Sequence, residues 1–283
     1  MVAGLAIPTG VLADASRGGL REPRLKHLAS NPKGNQMRIV VIGGTGRLGS
    51  EIVARLEEDG HEAVAASPES GVDTITGEGL DEALAGADVV IDASNAPVWD
   101  DAAVLDFFQT SARNLTAATV SAGVKHYVAM SIVGADRLPE SGYLRAKVAQ
   151  EEVVNRALVP FTIVRATQFF EFIGRIADSS ANGSTVRMPP ALFQPAAVAE
   201  LAAGVAKVAE GEPVNGIVEV AGPEPLRMDE AVARVLSAAG DARTVVTDPH
   251  APYFGTELNT DSLVPDEGPR LTPTRFDDWL EQR

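Results

Sequence analysis

From Arg38 onward the chain predicts an α/β protein, a doubly wound parallel sheet with helices on both faces. Short β-branched runs alternate with amphipathic helical stretches, which implies parallel strands joined by crossover helices. A glycine cluster, Gly43-Gly44-Thr45-Gly46-Arg47-Leu48-Gly49, sits between the first run and the first helical stretch. After Arg165 the alternation loosens, so a small C-terminal substrate-side lobe is expected over about 167–283.

Each element follows from its residues. Arg38-Ile-Val-Val-Ile-Gly43 has the look of a buried parallel strand. Arg47–Asp59 places Leu48, Ile52, Val53 and Leu56 on one helical face and stops at Gly60. Glu62–Ala66 is a strand, a brief strand is expected near Val72–Ile75, and Leu80–Leu84 is a short helix. Asp88–Asp92 is another strand, Ala102–Ala122 a long helix closed by Gly123, and His126–Met130 a strand. Tyr143–Leu158 reads as a helix and Phe161–Arg165 as a strand opening after Pro160. Beyond it, helices are expected at Phe169–Ile176, Ala196–Ala209, Asp229–Ala239 and Phe276–Leu280. Strands are expected at Thr185–Met188, Gly216–Val220 and Arg243–Val246. Ligands of such sheets bind beyond the carboxyl ends of the strands. The loops after Gly43, Ala66, Asp92, Met130 and Arg165 are therefore where chemistry is expected.

Composition narrows the partners. The 283 residues carry 24 Lys and Arg against 39 Asp and Glu, a net charge of −15. That balance argues against a nucleic-acid binder and against a surface that clings to anionic lipid. With no Cys, disulfides, thiolate zinc sites, iron–sulfur clusters and cysteine nucleophiles are excluded. His27, His61, His126 and His250 are scattered, so no metal site is expected. No apolar run approaches the ~20 residues of a membrane span. A cytoplasmic protein acting on a small molecule is the expectation.

Residues 1–36 differ from the rest. They hold five basic and two acidic residues, leaving a net −18 for 37–283. Rich in Gly, Pro, Ser and Asn and without period, they read as a disordered extension or an upstream-assigned start, with Met37 the alternative start. A secretory signal fits poorly, because no basic residue precedes the apolar part and Pro8, Thr9 and Gly10 interrupt it. A single domain over 37–283 is expected, with its cofactor half at about 37–166.

The glycine cluster fits G-x-x-G-x-x-G at 43, 46 and 49 and G-x-G-x-x-G at 44, 46 and 49. Between a strand and a helix, such glycines make a tight turn and let the backbone approach a pyrophosphate at the helix N-terminus. A merely structural turn is the alternative. Gly43, Gly44, Thr45, Gly46, Arg47, Leu48 and Gly49 are thus candidate dinucleotide-binding residues. Arg47 and the Ser67 hydroxyl suit a 2′-phosphate, which favours NADP(H); Glu69 just beyond the second strand would instead suit NAD(H). Arg47 also reads as an ordinary solvated residue at a helix start.

A second motif joins Ser131, Tyr143 and Lys147. Tyr143 and Lys147 are four apart and share a helix face, and Ser131 ends a strand twelve residues before Tyr143. A phenol of ordinary pKa ~10 is a poor acid–base catalyst, and an adjacent ammonium favours its ionised form. Tyr143 would pass a proton to a developing alkoxide while Ser131 holds that oxygen and Lys147 serves both the phenol and the cofactor ribose. With three Tyr and five Lys, Tyr-x-x-x-Lys arises by chance with probability roughly 0.05, so its position on the expected helix is what gives it weight. A half-buried Tyr beside a surface Lys is the bland reading.

The glycine loop, Ser131 and Tyr143-Leu-Arg-Ala-Lys147 resemble the short-chain dehydrogenase/reductase superfamily. The G-x-x-G-x-x-G spacing and lean second half resemble its atypical, NmrA-like NAD(P)-binding branch, over about Met37–Arg283. The resemblance implies a Rossmann-type fold, NAD(P)H-dependent hydride transfer to or from a carbonyl, alcohol or quinone, and catalysis by Tyr143, Lys147 and Ser131. It also implies that the loops Ala93–Ala96, with Ser94 and Asn95, and Ser131–Gly134 border the cofactor. Two departures stand out: Phe108 occupies the place of a helix Asn found in many members, and Ala166-Thr167 replaces a Pro-Gly. NmrA-like members include non-catalytic redox sensors, so a cofactor-binding regulator is the alternative function. Gln168, Phe169 and Phe170 follow the last strand of the first half and are candidates to line the substrate pocket, unless the phenylalanines are simply core.

Overall fold

In a computed structural model, residues 36–283 are described; expectations for residues 1–35 lie outside them. In chain order the first half runs β1 (Arg38–Ile42), α1 (Arg47–Glu58), β2 (Glu62–Ala66), α2 (Leu80–Leu84), β3 (Val89–Asp92), α3 (Asp101–Ala122), β4 (His126–Ile132), α4 (Gly142–Asn155) and β5 (Phe161–Ala166). Then follow α5 (Ile173–Ser179), β6 (Ala181–Asn182), β7 (Thr185–Met188), β8 (Leu192–Phe193), α6 (Val198–Ala209) and β9 (Gly216–Ala221). The last elements are β10 (Leu226–Arg227), α7 (Met228–Ala238), β11 (Thr244–Thr247), β12 (Arg270–Leu271) and α8 (Phe276–Glu281).

Seven strands form one parallel sheet in the order β12-β9-β5-β4-β3-β1-β2. Alternation sends Ile39, Val41, Ile91, Val128 and Val164 to one face, where Ile52 and Leu56 of α1 and Leu201 and Val205 of α6 cover them. Val40, Ile42, Val90, Ala129 and Ile163 point the other way, onto Leu84 of α2, Leu115 of α3 and Val154 of α4. This is the doubly wound Rossmann-type arrangement, and its strand order reverses between β1 and β3. Among the described residues no helix is long and apolar enough to cross a membrane.

Local chemistry sets the helix ends. The Asp100 carboxylate caps α3 by accepting from the Ala103 amide at 3.1 Å, and Gly123 ends the helix at φ +71°. Ser141 caps α4, which stops at Asn155 rather than at Leu158, leaving Leu158 in solvent.

Two further expectations change. Val72–Ile75 is not a strand: the Asp73 carboxylate accepts from the Ile75 and Thr76 amides at 2.7 and 3.3 Å, folding the segment into an Asx turn. Phe169–Ile176 is not one helix, since a 3₁₀ turn at Phe170–Phe172 precedes α5. In the remainder from 167, α6 packs on the sheet while β9 and β12 extend it. What stays apart is a second core, in which Ile176, Val186, Phe193, Val232, Leu263 and Trp279 pack together against Leu138 and Leu144 of the first half.

Candidate functional site

The glycine loop leaves β1 with Gly43 at φ +72°, a conformation that favours glycine. A Cβ on Gly43 would lie 2.7 Å from the Ala93 carbonyl oxygen, and one on Gly44 2.7 Å from the Val41 carbonyl oxygen. On Gly49 it would overlap the Gly43 carbonyl. Gly46 is different: its nearest neighbour would be 3.2 Å away, and Thr45, Gly46 and Arg47 are exposed. The three tight glycines therefore shape the turn, while Gly46 faces the open side. With no acid in its first turn, α1 presents free amides and the positive end of its dipole to that side.

Beside this loop, at the end of β2, the Ser67 hydroxyl is buried without a hydrogen-bond partner. A cradle that side chains would fill, an uncompensated helix N-terminus and an orphaned hydroxyl fit a dinucleotide's phosphates and ribose. Glycine substitutions should separate accordingly. Gly49→Ala is expected to cost about 1–3 kcal/mol by overpacking and to lose most NADPH binding. Gly46→Ala should keep its melting temperature and weaken NADPH less; calorimetry and thermal melts of both variants check this.

The loop after β3 abuts the glycine loop, and Asp92, the last residue of β3, is 1% exposed. Its carboxylate accepts from the Tyr127 hydroxyl at 3.0 Å, from Gln150 Nε2 at 2.8 Å, and from the Ser94 hydroxyl and amide at 2.6 and 3.1 Å. Burial and the Asp92 charge hold Tyr127 well above the ordinary phenol range, so it remains a donor.

Tyr143 and Lys147 project from the first two turns of α4 but meet different partners. The Tyr143 hydroxyl donates to Asn95 Oδ1 at 2.9 Å, at the mouth of the site. Its ring lies 5.7 Å from Trp99 and 5.8 Å from Phe108. Lys147 is buried, donates to Gln150 Oε1, and places Nζ 4.2 Å from the centre of the Phe108 ring. Phe108 thus faces both residues. The expectation that Lys147 depresses the phenol is corrected, because burial pushes Tyr143 up to about 12 and no ammonium offsets it.

Ser131 is corrected as well. It is buried, and its hydroxyl donates to Glu151 Oε1 at 2.5 Å, so its proton is committed away from a substrate oxygen. Glu151 is in turn clamped by Arg165, with Nε to Oε1 at 2.9 Å and Nη2 to Oε2 at 2.7 Å, and Arg165 Nη1 reaches Asp136 at 2.9 Å. Ser94 likewise spends its hydroxyl on Asp92, which leaves Asn95 as the polar side chain beside the phenol.

Of the pocket candidates, Gln168 is buried with its side chain on Tyr253. Phe169 is half-buried against the α1/α6 core. Phe170 is core rather than pocket: it is 1% exposed and packs on Phe276 and Trp279 at 5.6 and 5.1 Å. Beyond Trp99, which neighbours Tyr143, the Phe254 ring lies 6.1 Å from Trp99 and nearly parallel to it. Sequence reasoning left Asp92, Gln150, Glu151 and Arg165 unassigned. An acid closing an apolar strand, and Gln150 and Glu151 at three and four residues from Lys147 on the same helix, were the available signals.

Residues 43–207 match the family model described as NAD(P)H-binding. The Photosystem II assembly factor Ycf39 of Synechocystis sp. is 31% identical over 156 residues, covering 50% of this chain and 48% of that protein. Its counterpart from Cyanophora paradoxa is 28% identical over 165 residues, covering 53% and 51%. The chain thus spans about half the length of these relatives. Among solved structures, a short-chain dehydrogenase/reductase superfamily protein of Agrobacterium tumefaciens with bound NAD superposes at TM-score 0.67 and 18% identity, covering 87% of this chain and 95% of that one. The dTDP-4-dehydrorhamnose reductase of Bacillus anthracis in complex with NADP gives 0.59 and 18%, covering 75% and 85%. These likenesses show the fold.

Proposed function

We propose, for a chain that belongs to the NAD(P)H-binding family and has an atypical short-chain dehydrogenase/reductase fold, that it is an NAD(P)H-dependent oxidoreductase working in the direction of carbonyl reduction. The observation that carries this reading is the Tyr143 phenol at the site mouth, bonded to Asn95 and one helical turn from buried Lys147. A bound NAD(P)H supplies the hydride. A phenol pushed up to about 12 enters the reaction protonated, so Tyr143 acts as the acid that delivers a proton to the developing alkoxide. With the Ser131 proton held by Glu151, the Asn95 amide N–H group is the donor available to the substrate oxygen. Trp99, exposed and 5.7 Å from the Tyr143 ring, offers a flat apolar face there, which suits a quinone or an aryl carbonyl compound. Lys147, one turn along α4, would hold the cofactor ribose. The test is NADPH oxidation by the purified protein against a panel of quinones and aldehydes, with Tyr143→Phe alongside.

NADP(H) is favoured over NAD(H) by exposed Arg47 at the start of α1 and by the unpartnered Ser67 hydroxyl. Arg47→Ala should weaken NADPH by ten- to hundredfold and NADH little, since charge-assisted bonds are worth about 1.5–3 kcal/mol. Equal losses for both cofactors in calorimetry would turn the assignment to NAD through Glu69.

A cofactor-binding regulator is the second reading. Phe108 in place of the helix Asn and the likeness to proteins named as assembly factors favour it. It predicts NADPH binding without turnover on any substrate in the panel.

A further inference from the structure

Lys147 is a buried cation whose hydrogen bond goes to a neutral amide, Gln150 Oε1, rather than to a carboxylate. Gln150 is itself 1% exposed and turns its other end, Nε2, to Asp92 Oδ2 at 2.8 Å. One amide therefore separates a cation from an anion, its oxygen on the ammonium and its N–H on the carboxylate. Both ends match the amide dipole, and each bond strengthens the other in a low-dielectric interior. Asp92 is pinned in place by Tyr127 and Ser94, so the far end of this chain is fixed. From α3 the contact on Lys147 is the Phe108 ring, which attracts the ammonium and keeps water from that side. Besides Asp92, the charged group acting on it is Glu151 of α4, whose charge is shared with Arg165. Burial pushes Lys147 down to about 8, while Asp92 and Glu151 pull the other way.

We propose that Gln150 and Asp92 are positioning residues for Lys147: the amide couples the ammonium to a carboxylate it does not touch, and this keeps Lys147 charged and fixed at neutral pH. An amide holds its own protons in this pH range, so the coupling transmits charge and geometry and not a proton. The consequence for the cofactor rests on the reading above that Lys147 meets the ribose. If it does, NADPH affinity is high while Lys147 is protonated and falls as pH rises through about 8.

The experiment is a ¹³C NMR titration of the lysine-labelled full-length protein, with the Lys147 resonance assigned through Lys147→Arg. Gln150→Met and Asp92→Asn should lower the Lys147 midpoint by about one unit, because the ammonium loses its anchor and its anion. Gln150→Glu should raise it by about as much by placing a carboxylate against the ammonium. General loosening of the core would instead raise the midpoint in every variant, toward the ordinary lysine value. Should Gln150→Met fail to fold, Asp92→Asn and Gln150→Glu still carry the opposed signs. A midpoint that is unmoved or raised in Asp92→Asn and Gln150→Met overturns the proposal. NADPH affinity between pH 6.5 and 9.5, measured on the same proteins, separates the two layers. Midpoints that move as stated beside an affinity indifferent to them would keep the coupling and remove the ribose contact.

Discussion

Tyr143→Phe lowers kcat by about 10²–10⁴-fold on any carbonyl substrate the wild type reduces, the range for losing a positioned general acid. The change removes one oxygen, whose partner Asn95 is exposed and can bond water instead. The ring keeps its contacts with Trp99 and Phe108, so melting temperature and NADPH affinity stay close to wild type. Steady-state kinetics with stopped-flow NADPH oxidation reads the loss. Full activity in this variant would remove Tyr143 from the chemistry and leave the proton to another donor.

The second large effect is on stability. Arg165→Met leaves Glu151 buried against Ser131 without its bidentate partner. Breaking a buried pair from one side costs about 3–5 kcal/mol, because the remaining charge stays desolvated. Arg165→Met combined with Glu151→Met should regain much of that loss, since an apolar pair of similar volume has no charge to strand. Urea unfolding of the two variants and wild type tests both statements. A single variant as stable as wild type would mean that water reaches Glu151. Neither protein should lose the glycine-loop geometry, because this pair sits under β4 and β5, away from α1.

Several parts of the site were legible before the fold was known. A glycine loop between a β-branched run and an amphipathic helix states its own geometry, and the tight contacts at Gly43, Gly44 and Gly49 follow from it. Tyr143 and Lys147 share a helix face because four residues make just over one turn. Their environments were not legible. Sequence spacing put the ammonium next to the phenol, whereas Phe108, from a helix some forty residues earlier, and Gln150 draw Lys147 inward. Ser131 was placed correctly at a strand end, but its partner Glu151 is fixed by helix–sheet packing and reverses its expected role.

The same division runs through the whole chain. Strands such as Arg38–Ile42 and helices such as Asp101–Ala122 were written in the sequence, because backbone periodicity and caps are local and act within a few residues. Segments with weak local preference were settled by distant partners. Val72–Ile75 has strand-like composition, yet Asp73 captures its amides and Asn114 of α3 donates to the Thr74 and Ile75 carbonyls, satisfying in a turn what a sheet would have satisfied. Phe170 went to the core because Phe276 and Trp279, more than a hundred residues later, return to cover it. Buried charge behaves likewise: Asp92 is tolerable at the end of β3 since Tyr127, Gln150 and Ser94, drawn from three parts of the chain, supply the donors that water would otherwise provide. Periodicity depends on near neighbours and survives in a string of letters, while desolvation depends on every atom within a few ångströms and exists only once the chain has folded.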